Sequence, residues 1–501
     1  MSDYYYTQND YILNSPLNKT FSDIHFMSEN EFEDWLKSFA RLVKSVWDEH
    51  GIPFEKGRSE NKITRDFRTL HNLDVSGLLI QDSGTFEKDC IYNPDRTVNA
   101  ANSFFPNILK AKDNMGNNKV SVYDLFRDDE YHYNELYKTV IKAVRQDSIG
   151  NYSDLDKSRG SEVLSKTEAT VYLQNITKQG RDYWFDSRKK EYDAIKISTE
   201  TLEALILDNI IDEKHKMDLY TGVSINAEHF YIRTIRDIKV FPKIVSIAKT
   251  GKRSAPGNFS PIVAKYIYSH FTEAFKDQKQ IFVYDPSMGF GGRLLGALSL
   301  DDRVLHYVGS DPNTENWIDE IDLSRYDILE RAFEKRSPRT YQFTSEYICC
   351  GSEDVDSLET FKKYEGHLDL IFTSPPYFSA EIYSDDETQS STRYLTYDDW
   401  RDKYWAKTIE TCVRYLKHDR YMVINIANTT HKGKPLHLVE DTIEIAKSYG
   451  MVENDMLKMV IATTPGANRI DEEHDSLTFE CSCEVNGAKV RYEPVLVFYK
   501  P

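Results

Sequence analysis

Two prolines and an aromatic residue end the apolar segment LDLIF, within the sequence TSPPYF at residues 373–378. Proline has no backbone N–H and restricts the residue before it, so the turn after this strand is expected to be extended and stiff. The turn would hold the Ser374 hydroxyl and the Pro375 carbonyl as fixed hydrogen-bond acceptors, with the Tyr377 ring beside them as a stacking face. The alternative interpretation is a strand terminator with a surface tyrosine.

A glycine-rich turn lies between an earlier apolar segment and a helical pattern. Residues 285–293 read DPSMGFGGR, with glycines at 289, 291 and 292. Glycine lets a backbone turn pass close beneath a nucleotide-like ligand, and the helix that follows presents free N–H groups there. The spacing is not the G-x-G-x-x-G of a dinucleotide site. Taken alone, the turn indicates either a cofactor loop or close packing of the backbone.

These two turns lie in a half of the chain that alternates between strand and helix patterns. Seven segments predict strands, at residues 281–286, 304–312, 341–354, 367–377, 421–429, 456–464 and 490–500. Helical patterns between them are typical of an α/β fold, in which helices cover the faces of a parallel sheet. The sequence therefore predicts that an α/β domain carries both turns.

The first half of the chain is predicted to form a separate domain, mostly helical or α+β. Amphipathic patterns at residues 28–51 and 198–217 predict helices there. The segment 249–261 is basic, small and proline-bearing, which is typical of a junction. We therefore expect one domain at residues 1–247 and an α/β domain at 248–501.

Taken together, the two turns resemble the amino-methyltransferases of DNA, whose catalytic motif is (D/N/S)-P-P-(Y/F), over about residues 252–501. The resemblance implies a seven-stranded Rossmann-like methyltransferase domain that uses S-adenosylmethionine as its cofactor. It also implies that the catalytic motif comprises Ser374, Pro375, Pro376 and Tyr377. The order of the turns is similar to the gamma-like arrangement of these enzymes. DPSMGFGGRLLGAL, FTSPPYF and QSSTRY are further similar to a methyltransferase group common in tailed-phage genomes.

The resemblance also implies a set of cofactor contacts. The glycine turn would face the methionine part of the cofactor, Asp311 would accept hydrogen bonds from the ribose hydroxyls, and Glu353 and Asp354 would lie beside the adenine. The segment 258–261 would pack over the methionine end. The full set of implied cofactor contacts is Asn258, Phe259, Ser260, Pro261, Asp285, Pro286, Ser287, Met288, Gly289, Gly291, Asp311, Glu353, Asp354 and Thr373.

The implied reaction depends on the exocyclic amine of cytosine or adenine, which is a poor nucleophile because its lone pair is delocalised into the ring. Acceptors at Ser374 and Pro375 would bind the amine protons while Tyr377 stacks on the base. The base must leave the duplex to reach this geometry. Phe378 and the polar stretch from 379 to Arg393 are expected to close over it as substrate contacts, or else to form a surface loop. The serine favours N4 of cytosine over N6 of adenine.

The composition is that of a globular protein, with 40% hydrophobic and 29% charged residues. The formal net charge of −18 argues against binding nucleic acid through bulk charge, so DNA contact must use local patches. The first domain is the candidate for target recognition or for binding a partner protein. Candidate DNA contacts are the segment 178–190 with Tyr183, Trp184 and Phe185, and the residues Lys249, Lys252 and Arg253. A solvated helix face with buried aromatics is the alternative.

Six cysteines show no disulfide-framework spacing, and the Cys481-x-Cys483 pair lacks a second pair at zinc-ligand spacing, so no metal is expected. There is no signal-like or membrane-spanning segment, which predicts a cytoplasmic protein with reduced thiols. Two other interpretations stay open. One is an RNA or protein amino-group methyltransferase of the same fold, and the other is a binding protein that keeps the fold without catalysis.

Overall fold

The computed structural model describes part of the chain, namely residues 27–50, 60–80, 89–91, 100–113, 121, 129–130, 133–134, 163–178, 183–184, 194–210, 229–234, 258–378, 381–384, 386–431, 434–461, 482–485 and 488–501. The chain divides into two compact units. Unit 1 comprises Met1–Gln8, Lys56–Asp124 and Lys249–Pro501, and unit 2 comprises Asn9–Glu55 and Leu125–Ala248. The predicted junction lies beside the 248/249 division, but Lys56–Asp124 group with the second half of the chain instead of with the first.

The strands are β1 Leu79–Ile80, β2 Cys90–Ile91, β3 Lys112–Asp113, β4 Tyr183–Trp184, β5 Ala194–Ser198, β6 His229–Thr234, β7 Ile281–Asp285, β8 Leu305–Ser310, β9 Trp317–Ile318, β10 Leu323–Ser324, β11 Phe343–Ile348, β12 Leu368–Thr373, β13 Glu381–Ile382, β14 Leu416–Asn425, β15 Thr429–His431, β16 Lys434–Leu436, β17 Val452–Ile461, β18 Ser482–Val485 and β19 Ala488–Lys500.

The α-helices are α1 Glu29–His50, α2 Glu60–Asn72, α3 Lys166–Lys178, α4 Thr199–Leu207, α5 Pro261–Thr272, α6 Gly292–Leu298, α7 Arg325–Arg336, α8 Glu359–Lys362, α9 Ser390–Arg393, α10 Tyr397–Asp399, α11 Ala406–Tyr415 and α12 Leu438–Ser448. Short 3-10 turns include Ala100–Phe104 and Pro106–Lys110, and a π-helical stretch at Trp400–Trp405 joins α10 to α11.

The central sheet of unit 1 contains the seven predicted strands, in the order β17-β19-β14-β12-β7-β8-β11. The five strands from β14 to β11 run parallel to their neighbours, whereas β19 runs antiparallel to both β14 and β17. This order and the covering helices confirm the predicted Rossmann-like α/β class. Because β7 and β12 are parallel neighbours, the glycine turn and the proline turn leave the sheet at the same edge.

Strand β12 is buried along its whole length, as a central strand of a parallel sheet should be. Its one charged side chain, Asp369, is compensated inside the protein. The carboxylate accepts from Lys417 Nζ at 2.7 Å and from the backbone N–H of Phe282 at 2.9 Å. The strand then ends where the prolines begin, because proline cannot supply the N–H of a further ladder bond.

Within unit 1, helix α2 packs on α7 through Phe67, whose ring lies 5.1 Å from that of Phe333 in α7 and 6.0 Å from that of Phe104. The C-terminus of α2 is capped by a buried lysine of α5. Lys265 Nζ donates at 2.8 Å to each of three carbonyls, those of Leu70, His71 and Leu73. These contacts explain why the segment Lys56–Asp124 belongs to the same unit as the central sheet, although most strands of that sheet lie much later in the sequence.

Unit 2 contains α1, α3 and α4 together with a small antiparallel sheet in the order β4-β6-β5. Helix α1 confirms the helix predicted at 28–51, and α4 covers the first part of the helix predicted at 198–217. Of the candidate DNA contacts, Tyr183 and Trp184 form β4. Phe185, Lys249, Lys252 and Arg253 lie outside the described residues.

The described helices include none with the length and apolarity needed to cross a membrane. Across the same part of the chain, no three His, Cys, Asp or Glu side chains are grouped so that they could hold a metal ion. Strand β18, which includes Cys483, pairs antiparallel with the start of β19.

Candidate active site

The glycine turn connects the end of β7 to the start of α6. Gly289 and Gly291 have φ values of +55° and +72°, the left-handed region that glycine enters without strain. The Gly289 N–H donates to Asp311 Oδ2 at 2.8 Å, and the hydroxyl of Tyr326 donates to the Gly289 carbonyl at 2.7 Å. At Gly291 a Cβ would lie 2.7 Å from Cε2 of Phe105, so only glycine fits there.

Asp285, the last residue of β7, points into the protein beneath this turn. Its carboxylate pairs with Arg293 Nε at 2.8 Å and accepts the hydroxyl of Tyr307 at 2.8 Å. The Arg293 guanidinium also donates to the Ser287 carbonyl, and the Ser287 N–H donates back to Asp285 Oδ1 at 3.2 Å. The network is buried and holds the turn from below.

The segment ahead of α5 clamps the other side of the turn. Asn258 Nδ2 donates to the Phe290 carbonyl at 2.7 Å, and Asn258 Oδ1 accepts the Gly292 N–H at 3.1 Å. The ring of Phe259 lies edge-on to that of Phe372 at 5.3 Å and beneath the guanidinium of Arg293. Ser260 and Pro261 then begin α5.

Two contributors to this clamp were not predicted from the sequence. Asn102 Oδ1 accepts a hydrogen bond from Asn258 Nδ2 at 3.0 Å, and the ring of Phe105 packs against those of Phe290 and Tyr326. Both residues belong to the segment NAANSFFPN, whose turn residues around a small apolar core carried no chemical signal. Asn102 and Phe105 support the glycine turn only through contacts with residues more than 150 positions away in the sequence.

Asp311 follows β8 and is 8% exposed. Its carboxylate accepts the N–H groups of Gly289 at 2.8 Å and Asn313 at 2.9 Å. Burial raises the pKa of Asp311 to about 6, although the two backbone hydrogen bonds oppose that shift. Each carboxylate oxygen keeps a further lone pair, so the group can also accept from a ligand's hydroxyls.

Glu353, which follows β11, is also 8% exposed. Its Oε1 accepts from Arg393 Nη1 at 3.2 Å and from the Tyr394 hydroxyl at 3.3 Å, whereas its Oε2 is buried without a partner in the structure. Burial raises the pKa of Glu353. The same guanidinium of Arg393 pairs with Asp354.

The contacts of Arg393 join it to the two acids predicted beside the cofactor adenine, and its predicted contact with the substrate stays a prediction. Residues shortly before Arg393 make contacts with the loop that follows β8. Asp386 accepts the hydroxyl of Thr314 at 2.8 Å, and the hydroxyl of Thr388 donates to the Pro312 carbonyl at 2.9 Å. Asp386 and Thr388 therefore lie along the loop after β8, whereas β13, earlier in the stretch, pairs with β3.

Ser374 begins the proline turn, and its hydroxyl donates to Oδ1 of Asn425 at 3.2 Å. A hydroxyl has one proton, so this hydrogen bond leaves the oxygen lone pairs of Ser374 to act as acceptors. Tyr377 is half-buried beside the core, and Pro375 is buried. The Thr373 hydroxyl just before the turn is buried without a hydrogen-bond partner in the structure.

Phe378 takes a different position from the one expected of a substrate contact. Its ring is 2% exposed, its φ is +51°, and it packs edge-on against Tyr397, Trp400 and His431. The aromatic residues of 397–405 enclose it from the helix side. Phe378 therefore stabilises the core behind the proline turn, and its ring leaves no open face for a base.

Residues 368–501 match the family model of N6 and N4 methyltransferases described as DNA methylase. This match confirms the resemblance to the DNA amino-methyltransferases. No curated protein matches the chain. The matched segment begins at β12 and so includes the proline turn and Asn425, whereas the glycine turn lies before it.

Solved methyltransferases of low sequence identity are also similar to the chain. A S-adenosylmethionine-dependent methyltransferase from Methanosarcina mazei is 10% identical and covers 46% of this chain and 96% of its own, with a TM-score of 0.27. A TehB-like enzyme from Corynebacterium glutamicum is 15% identical and covers 51% of this chain and 93% of its own, with a TM-score of 0.24. Likeness at this level carries no argument about activity.

The residues around the glycine turn and the proline turn fit S-adenosylmethionine. The family match confirms this predicted cofactor. Asp311 offers paired acceptors for a diol, and the buried Oε2 of Glu353 and hydroxyl of Thr373 have no protein partners. At Gly289 a Cβ would meet only the Ser287 carbonyl oxygen, at 4.0 Å, so the space beside the turn is open to a ligand. The roles of the individual contacts stay predictions.

Proposed function

We propose that the protein transfers a methyl group from S-adenosylmethionine to the exocyclic amine of a base in DNA, with N4 of cytosine favoured over N6 of adenine. The observation that carries this proposal is the pairing of β7 with β12, Val283 opposite Leu370 and Tyr284 opposite Ile371. The pairing brings the glycine turn and the Ser374 turn to one edge of the sheet as neighbours. A methyl donor bound at the first would lie next to an amine bound at the second.

The Ser374 turn supplies what an aromatic amine requires. Its two protons need two acceptors, which are the Ser374 oxygen and the Pro375 carbonyl, and hydrogen bonds to them favour localisation of the nitrogen lone pair. The Tyr377 ring stacks on the base and fixes its plane. S-adenosylmethionine would supply a sulfonium-bound methyl group: as the amine nitrogen bonds to that carbon, the carbon–sulfur bond would break, the neutral thioether would leave with the electron pair, and the methylated nitrogen would release one proton to solvent. Orientation and electrostatics together can contribute roughly 7 to 11 kcal/mol to such a step.

A base in a duplex cannot meet the Ser374 turn, so the target base must be rotated out of the stack, at a cost of a few kcal/mol. The net charge of −18 leaves DNA contact to local groups. We assign target recognition to unit 2. The family match to a DNA methylase model supports DNA as the substrate, and the serine in the first motif position favours cytosine.

The test is a nucleoside analysis of DNA from cells that express the protein. Mass spectrometry should find 4-methylcytosine with the unmodified chain and none above background with Ser374→Ala. Ser448→Ala, which removes an exposed hydroxyl at the end of α12, is the matched control and should keep full methylation. Equal methylation with Ser374→Ala would overturn the catalytic assignment, and methylation of RNA or protein alone would overturn the substrate.

A further inference from the structure

We propose that Asn425 is a positioning residue that fixes Ser374 as a hydrogen-bond acceptor toward the target amine. The inference rests on the proposed function and deepens it, because it names the group that sets the polarity of the catalytic serine. Asn425 ends β14, the strand beside β12, and Ile424 lies opposite Thr373 in the parallel pairing. The Asn425 side chain thereby lies next to Ser374 and is 1% exposed.

The orientation of the Asn425 amide is set by the opposite strand. Asn425 Nδ2 donates to the Pro494 carbonyl of β19 at 3.1 Å, and a carbonyl can only accept. The amide nitrogen must therefore face Pro494, and the amide oxygen must face Ser374. The Ile426 N–H donates to the same carbonyl at 3.2 Å, which fixes its position. The antiparallel pair of Asn425 with Val495 aligns the two strands at this point.

This orientation determines what Ser374 can do. Because Asn425 presents an oxygen, the hydroxyl of Ser374 donates to it, and the serine lone pairs point away from Asn425. An amine proton then meets an acceptor that needs no rotation when the base arrives, which is the advantage of a preorganised site. Without Asn425 the hydroxyl could turn its own proton toward the amine and bind the base with the wrong polarity.

The test compares kinetic constants of Asn425→Ala, Ser374→Ala and the double variant on a DNA substrate. Asn425→Ala should lower kcat about tenfold, the size of one ordinary hydrogen bond, and leave the KM for S-adenosylmethionine unchanged. In the Ser374→Ala background the same change should have no further effect, since Asn425 acts through that hydroxyl. Asn428→Ala, a nearby amide that bonds Glu440 and Val439, is the control and should keep kcat.

A second variant keeps the proposal testable if alanine disturbs the fold. A protonated aspartic acid can donate to the Pro494 carbonyl and accept from Ser374, as the amide of Asn425 does, whereas an ionised carboxylate has no proton for Pro494 and is repelled by that carbonyl, so its oxygen loses its fixed position beside Ser374. Burial raises the pKa of an introduced carboxyl. The kcat of Asn425→Asp relative to the unmodified protein should therefore rise as the pH falls, while the ratio for Asn425→Ala stays flat.

Additive effects in the double variant, an unchanged kcat for Asn425→Ala, or a flat ratio for Asn425→Asp would each overturn the role of Asn425. These failures are distinct from failure of the proposed function. If the proposed function is wrong, the unmodified protein itself will leave DNA without methylated bases, and the inference about Asn425 will then be wrong as well.

Discussion

At the scale of single residues, the predicted contact of Asp311 with the ribose of S-adenosylmethionine makes cofactor binding depend on pH. An ionised carboxylate accepts from ribose hydroxyls far more strongly than a protonated carboxyl does, and burial raises the pKa of Asp311 to about 6. Affinity for S-adenosylmethionine should therefore be constant above pH 7 and fall about tenfold per pH unit well below 6. Calorimetry between pH 5 and 8 measures this profile.

Asp311→Asn should bind S-adenosylmethionine more weakly and lose the pH dependence, because an amide does not titrate in this range. Asp455→Asn, a change of the same kind on the exposed part of β17, should keep both affinity and profile. A pH profile that survives in Asp311→Asn would assign the titration to another group.

Lys265 should stabilise the fold through the end of α2. Replacing it with Met leaves three carbonyls without their donor, which we expect to cost about 2 to 4 kcal/mol of unfolding free energy. Burial lowers the pKa of Lys265 to about 8 from 10.5. Between those values the unfolded chain binds more protons than the folded one, so the folded state gains stability as the pH rises.

The stability gap between the unmodified chain and Lys265→Met should therefore widen from pH 8 to pH 10. Chemical denaturation at both pH values measures it. A gap that narrows over this range would show that the lysine is not desolvated in the folded protein.

At the scale of elements, Gly291 tests how tightly the glycine turn is enclosed. Alanine there would meet the Phe105 ring at 2.7 Å and would also adopt a φ of +72°. We expect Gly291→Ala to weaken S-adenosylmethionine binding at least tenfold. Gly366→Ala is the matched control, because its φ is +66° and its Cβ would meet no atom within 4 Å.

Gly366→Ala should cost only the backbone strain, about 1 to 2 kcal/mol of stability, and leave cofactor affinity unchanged. Adding Phe105→Leu to Gly291→Ala should recover part of the lost binding, since the shorter side chain relieves the clash and not the strain. Equal losses of affinity in the two glycine variants would assign the effect to strain alone.

The elements differ in how far the sequence could predict them. The seven strands and both turns could be predicted because each turn directly follows a buried apolar segment, so local pattern is enough. Asn425 could not, since its role depends on which strands become neighbours and on the Pro494 carbonyl 69 positions away. The burial of Phe378 likewise depends on rings from Tyr397 to His431, which only the folded chain brings around it.

At the scale of the whole molecule, the division of the chain bears on where the methyltransferase unit begins. The sequence indicated a boundary at residue 247/248, but residues of 56–124 brace the glycine turn through Asn102 and Phe105 and pack on α5 and α7. The change in composition near residue 249 marks a junction between segments. It does not indicate that the earlier segment 56–124 packs into the same core as residues 249–501.

A fragment of residues 249–501 should therefore fail to bind S-adenosylmethionine, whereas the full chain should bind it. Co-expression of residues 56–124 with that fragment should restore part of the binding. Isothermal titration of the purified fragments provides the comparison. Binding by the fragment alone with the affinity of the full chain would contradict the bracing role.

The antiparallel strand β19 lies between β14 and β17 in the finished sheet. Strand β14 cannot complete its hydrogen bonding until a segment far along the chain has folded back beside it, and such distant pairings form slowly. The Pro494 carbonyl that orients Asn425 arrives with this step. During refolding from denaturant, recovery of turnover should thus lag behind the return of helical signal, because the slow pairing of β14 with β19 is what brings the Pro494 carbonyl to Asn425.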